Sequence, residues 1–426
     1  MSGREGEGQR LSHEPGDLPE RLSDRFPPRK QLFVPAHAVR LLSPAMSRLT
    51  CRLRRKPLAR TSGVFRVLRL TVRRRDGFTA ASPIIRRLVT GASLIGILLF
   101  IVGLVALSTG PVSISFSSTL SVLLAHLGIG EASATVTQQA VIDNIRIPRL
   151  LLALGAGTGL GIAGATMQGL FRNPLADPGI IGVSAGGALG AVIAIATGLA
   201  AISTVYLPLF AFAGAAGAMV LVFLVAMAGR GRMSMASLLL TGVAVSSLLG
   251  AITSAVIILT SQLEAQRQMV FWLAGGLEAA RWDSVRIVLP IVTAGFFVIL
   301  AFSRDLNLLL VGDDEAKSLG VHTGFVRSVL IAAAALLTGT AVAFSGTIAF
   351  VGLVVPHAIR MIAGPDHRSL LPLSALGGGL FLLIADTLAR NIAHPVEIRV
   401  GIITALFGAP FFLFLLTKTR SRVDAI

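Results

Sequence analysis

Ten segments of roughly 20 mostly apolar residues recur along this chain, and about 20 such residues is what an α-helix needs to cross the hydrocarbon core of a bilayer. They fall near residues 88–108, 147–167, 178–198, 204–228, 234–260, 283–303, 326–346, 347–363, 369–390 and 399–417. In lipid a helix pairs every backbone group within its own segment, so the pattern predicts an all-α, polytopic membrane protein. The seventh and eighth segments run into one another, with only Ser345-Gly346-Thr347 suggesting a break. Charged residues make up 14% of the chain, against about 25% in soluble domains, which agrees with lipid as the main solvent.

Charge is unevenly placed. Residues 1–87 hold 20 Lys and Arg against 7 Asp and Glu, and the remaining residues hold 18 against 14. The basic excess therefore belongs to one terminal segment, read as a basic, disordered cytoplasmic extension over 1–80 ahead of a permease-like membrane domain over 81–420. No apolar run opens at Met1, so no cleaved signal is expected. Met46 offers a second start, and Ser62–Leu70 followed by Arg73, Arg74 and Arg75 reads as a basic helix on an anionic membrane surface. Without interleaved aromatics or a recognisable motif, nucleic acid is not expected as a partner. Ten crossings put both termini on one side. With the termini in the cytoplasm, that side carries Arg172, Arg230, Arg232, Arg304, Lys317, Arg327, Arg360, Arg368, Lys418, Arg420 and Arg422 besides the tail. The other side carries Arg146, Arg149, Arg267, Arg281, Arg286, Arg390 and Arg399. This bias has the sign expected for a plasma (inner) membrane protein.

Reactive chemistry is sparse. There is no Gly-Lys dipeptide and hence no phosphate-cradling GxxxxGK[ST] loop, so the chain is not expected to be an ATPase or another enzyme. The single cysteine, Cys51, excludes an internal disulfide framework, and the seven histidines are scattered; neither a metal nor a cofactor is expected. Proton-coupled transporters usually need carboxylates at mid-membrane, and none is well placed here. Asp386 and Arg390 stand four residues apart on one helix face and can pair. Gly155/Gly159 and Gly157/Gly161 form GxxxG pairs, and Gly377, Gly378 and Gly379 repeat the theme; in lipid such small residues let helix backbones approach. Between the sixth and seventh segments, Gly312 breaks the chain, Asp313 is placed to cap a short helix with Asp314 and Glu315 in its first turn, and Gly320 suits a left-handed C-terminal position. That helix reads either as a capped connector or as a lever for a cytoplasmic partner.

Several longer motifs resemble the permeases of iron-siderophore, hemin and cobalamin ABC importers, the FecCD type. Arg146-Ile-Pro-Arg149 looks like the family's Arg-x-Pro-Arg. The stretch from Gln168 through Arg172-Asn173-Pro174 to Pro178, followed by Gly182-Val-Ser-Ala-Gly186, is similar to its most distinctive segment. Gly312–Gly320, including Ala316 and Leu319, fits its cytoplasmic coupling segment. Gly346 to Pro356-His357, Gly364–Arg368, Asp386-x-x-x-Arg390, Glu397 and Gly408-Ala-Pro410 continue the match over about residues 88–418. Arg399 departs from it, standing where the family usually has proline between Glu397 and Gly401.

The resemblance implies the type II importer permease fold and a second permease subunit, either an identical copy or a close paralogue. It also implies separate ATP-binding cassette ATPase subunits and a periplasmic or lipid-anchored substrate-binding protein. It implies that Arg146, Arg149 and Arg390 face carboxylates of the binding protein, and that Gly312, Asp313, Asp314, Glu315, Ala316, Leu319 and Gly320 form the helix seated in the ATPase. Gln168, Arg172, Asn173, Pro174, Pro178, Gly182, Pro356 and His357 carry the family pattern along the pathway. Hemin is the favoured cargo, a ferric siderophore second and cobalamin third. A lone secondary transporter, a membrane enzyme and a docking scaffold are the rival readings.

Overall fold

The computed structural model describes residues 83–228, 235–393 and 396–423, with side chains of the last helix described to Leu415 and at Thr417. The expectations for the tail, including Cys51, Met46 and the basic helix at 62–70, lie outside the described residues. Fifteen helices matter here: α1 (Pro83–Ser108), α2 (Phe116–His126), α3 (Val136–Val141), α4 (Ile147–Leu170), α5 (Val183–Ala196), α6 (Tyr206–Ala228), α7 (Met235–Leu259), α8 (Leu263–Leu273), α9 (Trp282–Ala301), α10 (Ser303–Val311), α11 (Asp313–Ser318), α12 (Thr323–Ser345), α13 (Val351–Ala363), α14 (His367–Asn391) and α15 (Val400–Val423). No strand occurs among the described residues.

All ten apolar segments are helical. Among the described residues, seven helices are long and apolar enough to cross a membrane, and α5, α13 and the apolar part of α15 are shorter. The anticipated break at Gly346 is real. Its φ of 67° is left-handed, and a Cβ there would collide with the Trp272 carbonyl oxygen, so glycine is needed. Helix resumes only at Val351, after Phe350 at φ 69°. The segment expected to start at 178 begins instead with a 3-10 turn, Pro178–Ile181, which ends at left-handed Gly182.

Helices α2, α3 and α8 lie between the apolar segments. Thr135 and Gln138 cap α3 reciprocally, the side chain of each accepting from the other's backbone N–H. A π turn, Ile142–Arg146, joins α3 to α4 without a break in helicity.

α4 is the axis of the bundle and packs on α14, α12, α9 and α13. Its glycines explain how. A Cβ on Gly157 would land on the Gly378 carbonyl, one on Gly161 on that of Ser374, and one on Gly164 on that of Gly352, each closer than real Cβ atoms approach. The two glycine clusters of the sequence thus meet, α4 against α14, with backbone touching backbone. The bundle has two ends. The N-terminus of α4, the C-termini of α1 and α14 and the loop before α15 make one, called the rim. The C-terminus of α4, the N-termini of α12 and α14, and α10 with α11 make the other, called the base.

Candidate coupling and docking sites

At the rim the structure brings Arg146, Arg149 and Arg390 together but turns each guanidinium inward. The three residues are 5%, 7% and 5% exposed. Arg149 donates from Nε to Asp386 Oδ1 (3.0 Å) and from Nη1 to Glu397 Oε2 (2.9 Å). The Asp386–Arg390 pair anticipated from sequence is present at 3.2 Å. Arg390 also donates to the Ala106 and Thr109 carbonyls, 3.1 and 3.3 Å away, and Arg146 donates to those of Leu107 and Val112. The reason is local. α1 ends at Ser108, and its last carbonyls have no intrahelical donor. Cations suit that negative helix end, so two of the arginines cap α1 rather than reach outward. Within the chain the three form a buried cluster in which Arg149 and Arg390 share two carboxylates and Arg146 caps backbone carbonyls.

Beside it, Arg399 pairs with Glu278 at 2.5 Å and lies 4.6 Å over the Phe271 ring. Its carbonyl accepts from the Ile402 and Ile403 N–H groups in the first turn of α15. The departure at this position therefore replaces a rigid residue with a cross-link between α8 and the start of α15. Trp282 donates to the Asp143 carbonyl (2.9 Å), which places Arg281 and Arg286, both exposed, on the same end.

At the base, α11 forms over six residues as the sequence suggested, with Gly320 left-handed at φ 87°. The Gly320 N–H donates to Lys317 O and the Val321 N–H to Ala316 O, the paired bonds of a Schellman ending. Gly312, not Asp313, occupies the cap position, and Asp313 is the first helical residue. Its carboxylate accepts instead from Arg172 and, at 2.6 Å, from Arg327. Partial burial pushes this carboxyl up, but Arg327 and Arg172 outweigh it and hold it below the usual range. Ala316 is buried, whereas Asp314, Glu315 and Leu319 are exposed.

The remaining motif residues split into two groups. Arg172, Asn173 and Pro174 are exposed at the base. Asn173 turns the chain by accepting from the Leu175 N–H (2.9 Å). Gln168, Pro178 and Pro356 are buried. Gln168 donates to the Gly352 and Leu353 carbonyls and accepts from Arg360 at 2.7 Å, tying α4 to α13. Pro178 packs against Gly352. His357 is half-buried, edge-on to Phe411. Within one chain these residues make helix contacts rather than an open passage.

Sequence reasoning gave no special place to Arg327, nor to the clasp in which Asn307 donates to Asp366 and accepts from the His367 N–H (2.7 and 2.9 Å). The Asp366 side chain capping the first turn of α14 was the one local signal for that clasp. Among the described residues, no three His, Cys, Asp or Glu side chains are placed to hold a metal ion.

A ten-helix bundle with a cross-linked rim and a short acidic helix at its base is a multi-pass membrane protein of the type II ABC importer permease fold. Residues 98–418 match the model of the FecCD transport family. The chain is 48% identical to the cobalamin import system permease protein BtuC of Halobacterium salinarum, over 67% of this chain and 76% of that one. It is 40% identical to the hemin transport system permease protein HmuU of Yersinia pestis, over 76% and 95%. It is 41% identical to the Fe(3+) dicitrate transport system permease protein FecD of Escherichia coli, over 66% and 86%. A solved structure of a transporter assigned to the metal-chelate ABC type, in an inward-facing conformation, superposes with a TM-score of 0.67 at 34% identity, covering 76% of this chain and 98% of that one. The chain belongs to the FecCD transport family: it is an ABC importer permease of the class that serves iron complexes or cobalamin. Membership implies ATPase and substrate-binding partners and a second permease.

Proposed function

We propose that this permease carries an iron complex across the inner membrane, with hemin the first candidate, a ferric siderophore the second and cobalamin the third. It pairs with a second copy or a close paralogue, and separate ATPase subunits hydrolyse ATP. The base and both termini face the cytoplasm, the rim faces the binding protein, and residues 1–80 form an extension to a permease domain over 81–420. The observation that supports this reading best is the polarity of the bundle. Exposed acids on α11 stand at one end and an arginine-laced rim at the other, with an apolar body between. The hemin relative aligns over nearly its whole length, while the cobalamin relative is more alike over a shorter span. Uptake into proteoliposomes with the ATPase and binding protein, comparing hemin, a ferric siderophore and cobalamin, tests the cargo; transport of none of the three overturns the reading.

On this reading α11 seats in the ATPase. Asp314→Lys with Glu315→Lys reverses the exposed charge and opposes the helix dipole. The double variant is expected to reach the membrane normally yet lose copurifying ATPase and at least tenfold in uptake. Unchanged copurification and uptake would remove α11 from the coupling role.

Docking of the binding protein follows from the rim. Arg146, Arg149 and Arg390 act through the surface they hold in shape and through their excess of positive charge, and exposed Arg281 and Arg286 supply the outward cations. Arg281→Glu with Arg286→Glu is expected to slow association several-fold in nanodiscs at ~0.1 M salt. The difference should close near 1 M, where the Debye length falls to ~3 Å. Equal association at low salt would exclude these two residues from docking.

A further inference from the structure

α4 ends in a way that costs energy. The Arg172 N–H donates to Gly169 O and the Asn173 N–H to Gln168 O, a Schellman ending in which Arg172 takes the left-handed position at φ 49°. Glycine usually fills that position, because any side chain there is disfavoured by roughly 1 kcal/mol. Arg172 and Phe350 are the non-glycine residues at positive φ among those described. Arginine's side chain must return something that glycine cannot.

Its contacts show what that is. Nε donates to the Leu309 carbonyl at 2.7 Å, one of the unpaired acceptors ending α10. Nη2 donates to Asp313 Oδ1. The same oxygen accepts from Arg327, the fifth residue of α12. One carboxylate on the first residue of α11 is therefore gripped by arginines from two long helices. The joint between α10 and α11 is a single extended residue, Gly312, at φ 169° and ψ 158°. Beyond buried Ala316 and Val321, this grip is the polar link from α11 to the bundle.

We propose that Arg172 is a positioning residue for energy coupling: with Asp313 it fastens α11 rigidly to the end of α4, so that displacement of α11 is delivered to α4. The inference rests on α11 being the ATPase-contacting helix. α4 is suited to receive such a push. It touches α13 and α14 through backbone at Gly164 and Gly157, with no side chain between to absorb movement, and packed cores switch between discrete arrangements rather than deform continuously. A merely structural Arg172 would stabilise the loop. A positioning Arg172 leaves the fold and the assembly intact and changes how much transport each ATP supports.

The test uses the complete transporter, with its ATPase and binding protein, in proteoliposomes loaded with whichever of hemin, a ferric siderophore and cobalamin the unaltered protein takes up. Arg172→Gly relieves the backbone cost while removing the clamp. It is expected to equal or exceed the unaltered protein in heat stability, to copurify the same amount of ATPase, and to transport at least fivefold less cargo per ATP hydrolysed. Asp313→Asn, which relieves no backbone cost, should lose cargo per ATP to a similar degree, and Arg172→Lys, which keeps the charge but loses the two-pronged contact, should fall between. Unchanged cargo per ATP in Arg172→Gly overturns the proposal. So does a loss of heat stability that accounts for the defect. If Asp314→Lys with Glu315→Lys still abolishes ATPase binding while Arg172→Gly couples normally, only this proposal fails. If both variants bind the ATPase and transport normally, the assignment of α11 fails with it.

Discussion

Gly164→Ala and Gly157→Ala are each expected to deplete the folded protein. Alanine is normally the better residue inside a helix by about 1 kcal/mol, so the expected sign runs against propensity. The added methyl would sit on a backbone carbonyl, of Gly352 or of Gly378, and a carbonyl cannot rotate away as a side chain can. The helices must separate instead, at a cost on the order of 1–3 kcal/mol for each substitution and sometimes more. Helix association in lipid depends on close packing, so the double variant should leave little protein in the membrane. Gly96→Ala and Gly250→Ala are the controls, since a Cβ at either position meets nothing within 4 Å. Membrane abundance and thermal aggregation in detergent report the effect. Gly164→Ala as abundant and heat-stable as Gly96→Ala would refute the backbone contact.

Asp386→Ala should be comparably damaging for an electrostatic reason. Asp386 is 1% exposed and contacts both Arg149 and Arg390. Its removal leaves Arg149 with Glu397 alone and Arg390 with backbone carbonyls alone, and breaking a buried ion pair from one side costs roughly 3–5 kcal/mol. Replacing partners together is far milder by the same logic. Arg149→Met with Asp386→Leu should recover much of the lost stability, since Glu397 is open enough to be hydrated and Arg390 keeps its carbonyl acceptors. The double variant also separates two uses of the cluster. Recovered fold with lost binding-protein affinity marks the charges as functional, and recovery of both marks them as structural. A single Asp386→Ala variant with unaltered heat stability would contradict the buried cluster itself.

What could be read from the sequence followed the range of the interaction. Apolar length located the helices apart from the start of α5 and the division between α12 and α13, and Gly346 and Gly320 announced their backbone requirements because only glycine meets them cheaply. The Asp386–Arg390 pair was visible at four residues' separation. Arg149 joins the same carboxylate from 237 positions away, and no periodicity links the two. The inward turn of the arginines was hidden for a different reason. Arg-x-Pro-Arg reads the same whether its side chains reach a partner or cap a neighbouring helix. The unpaired carbonyls that end α1 decide between them, and their position is a tertiary fact. Helices α2, α3 and α8 are short and mixed in composition, so a search for 20-residue spans passes over them, although Thr135 and Gln138 mark the start of α3.

The interrupted stretch from Gly346 to Phe350 puts non-helical backbone part of the way along an apolar bundle. α13 has 13 residues, and so rises only about 20 Å of the ~30 Å hydrocarbon thickness. If its base end lies at the membrane surface, the interruption sits some way inside. Irregular backbone is tolerated at that depth only when buried in protein or bordering water. Here Thr347 and Ala349 join Leu273, Ala274, Gly401, Ile402, Ala405 and Leu406 around a cavity of about 440 Å³. Much of that lining is peptide and methyl, with few functional side chains. No ionisable side chain lines this surface, so it offers a passing molecule no charged grip, and what bulk it has comes from Leu273, Ile402 and Leu406.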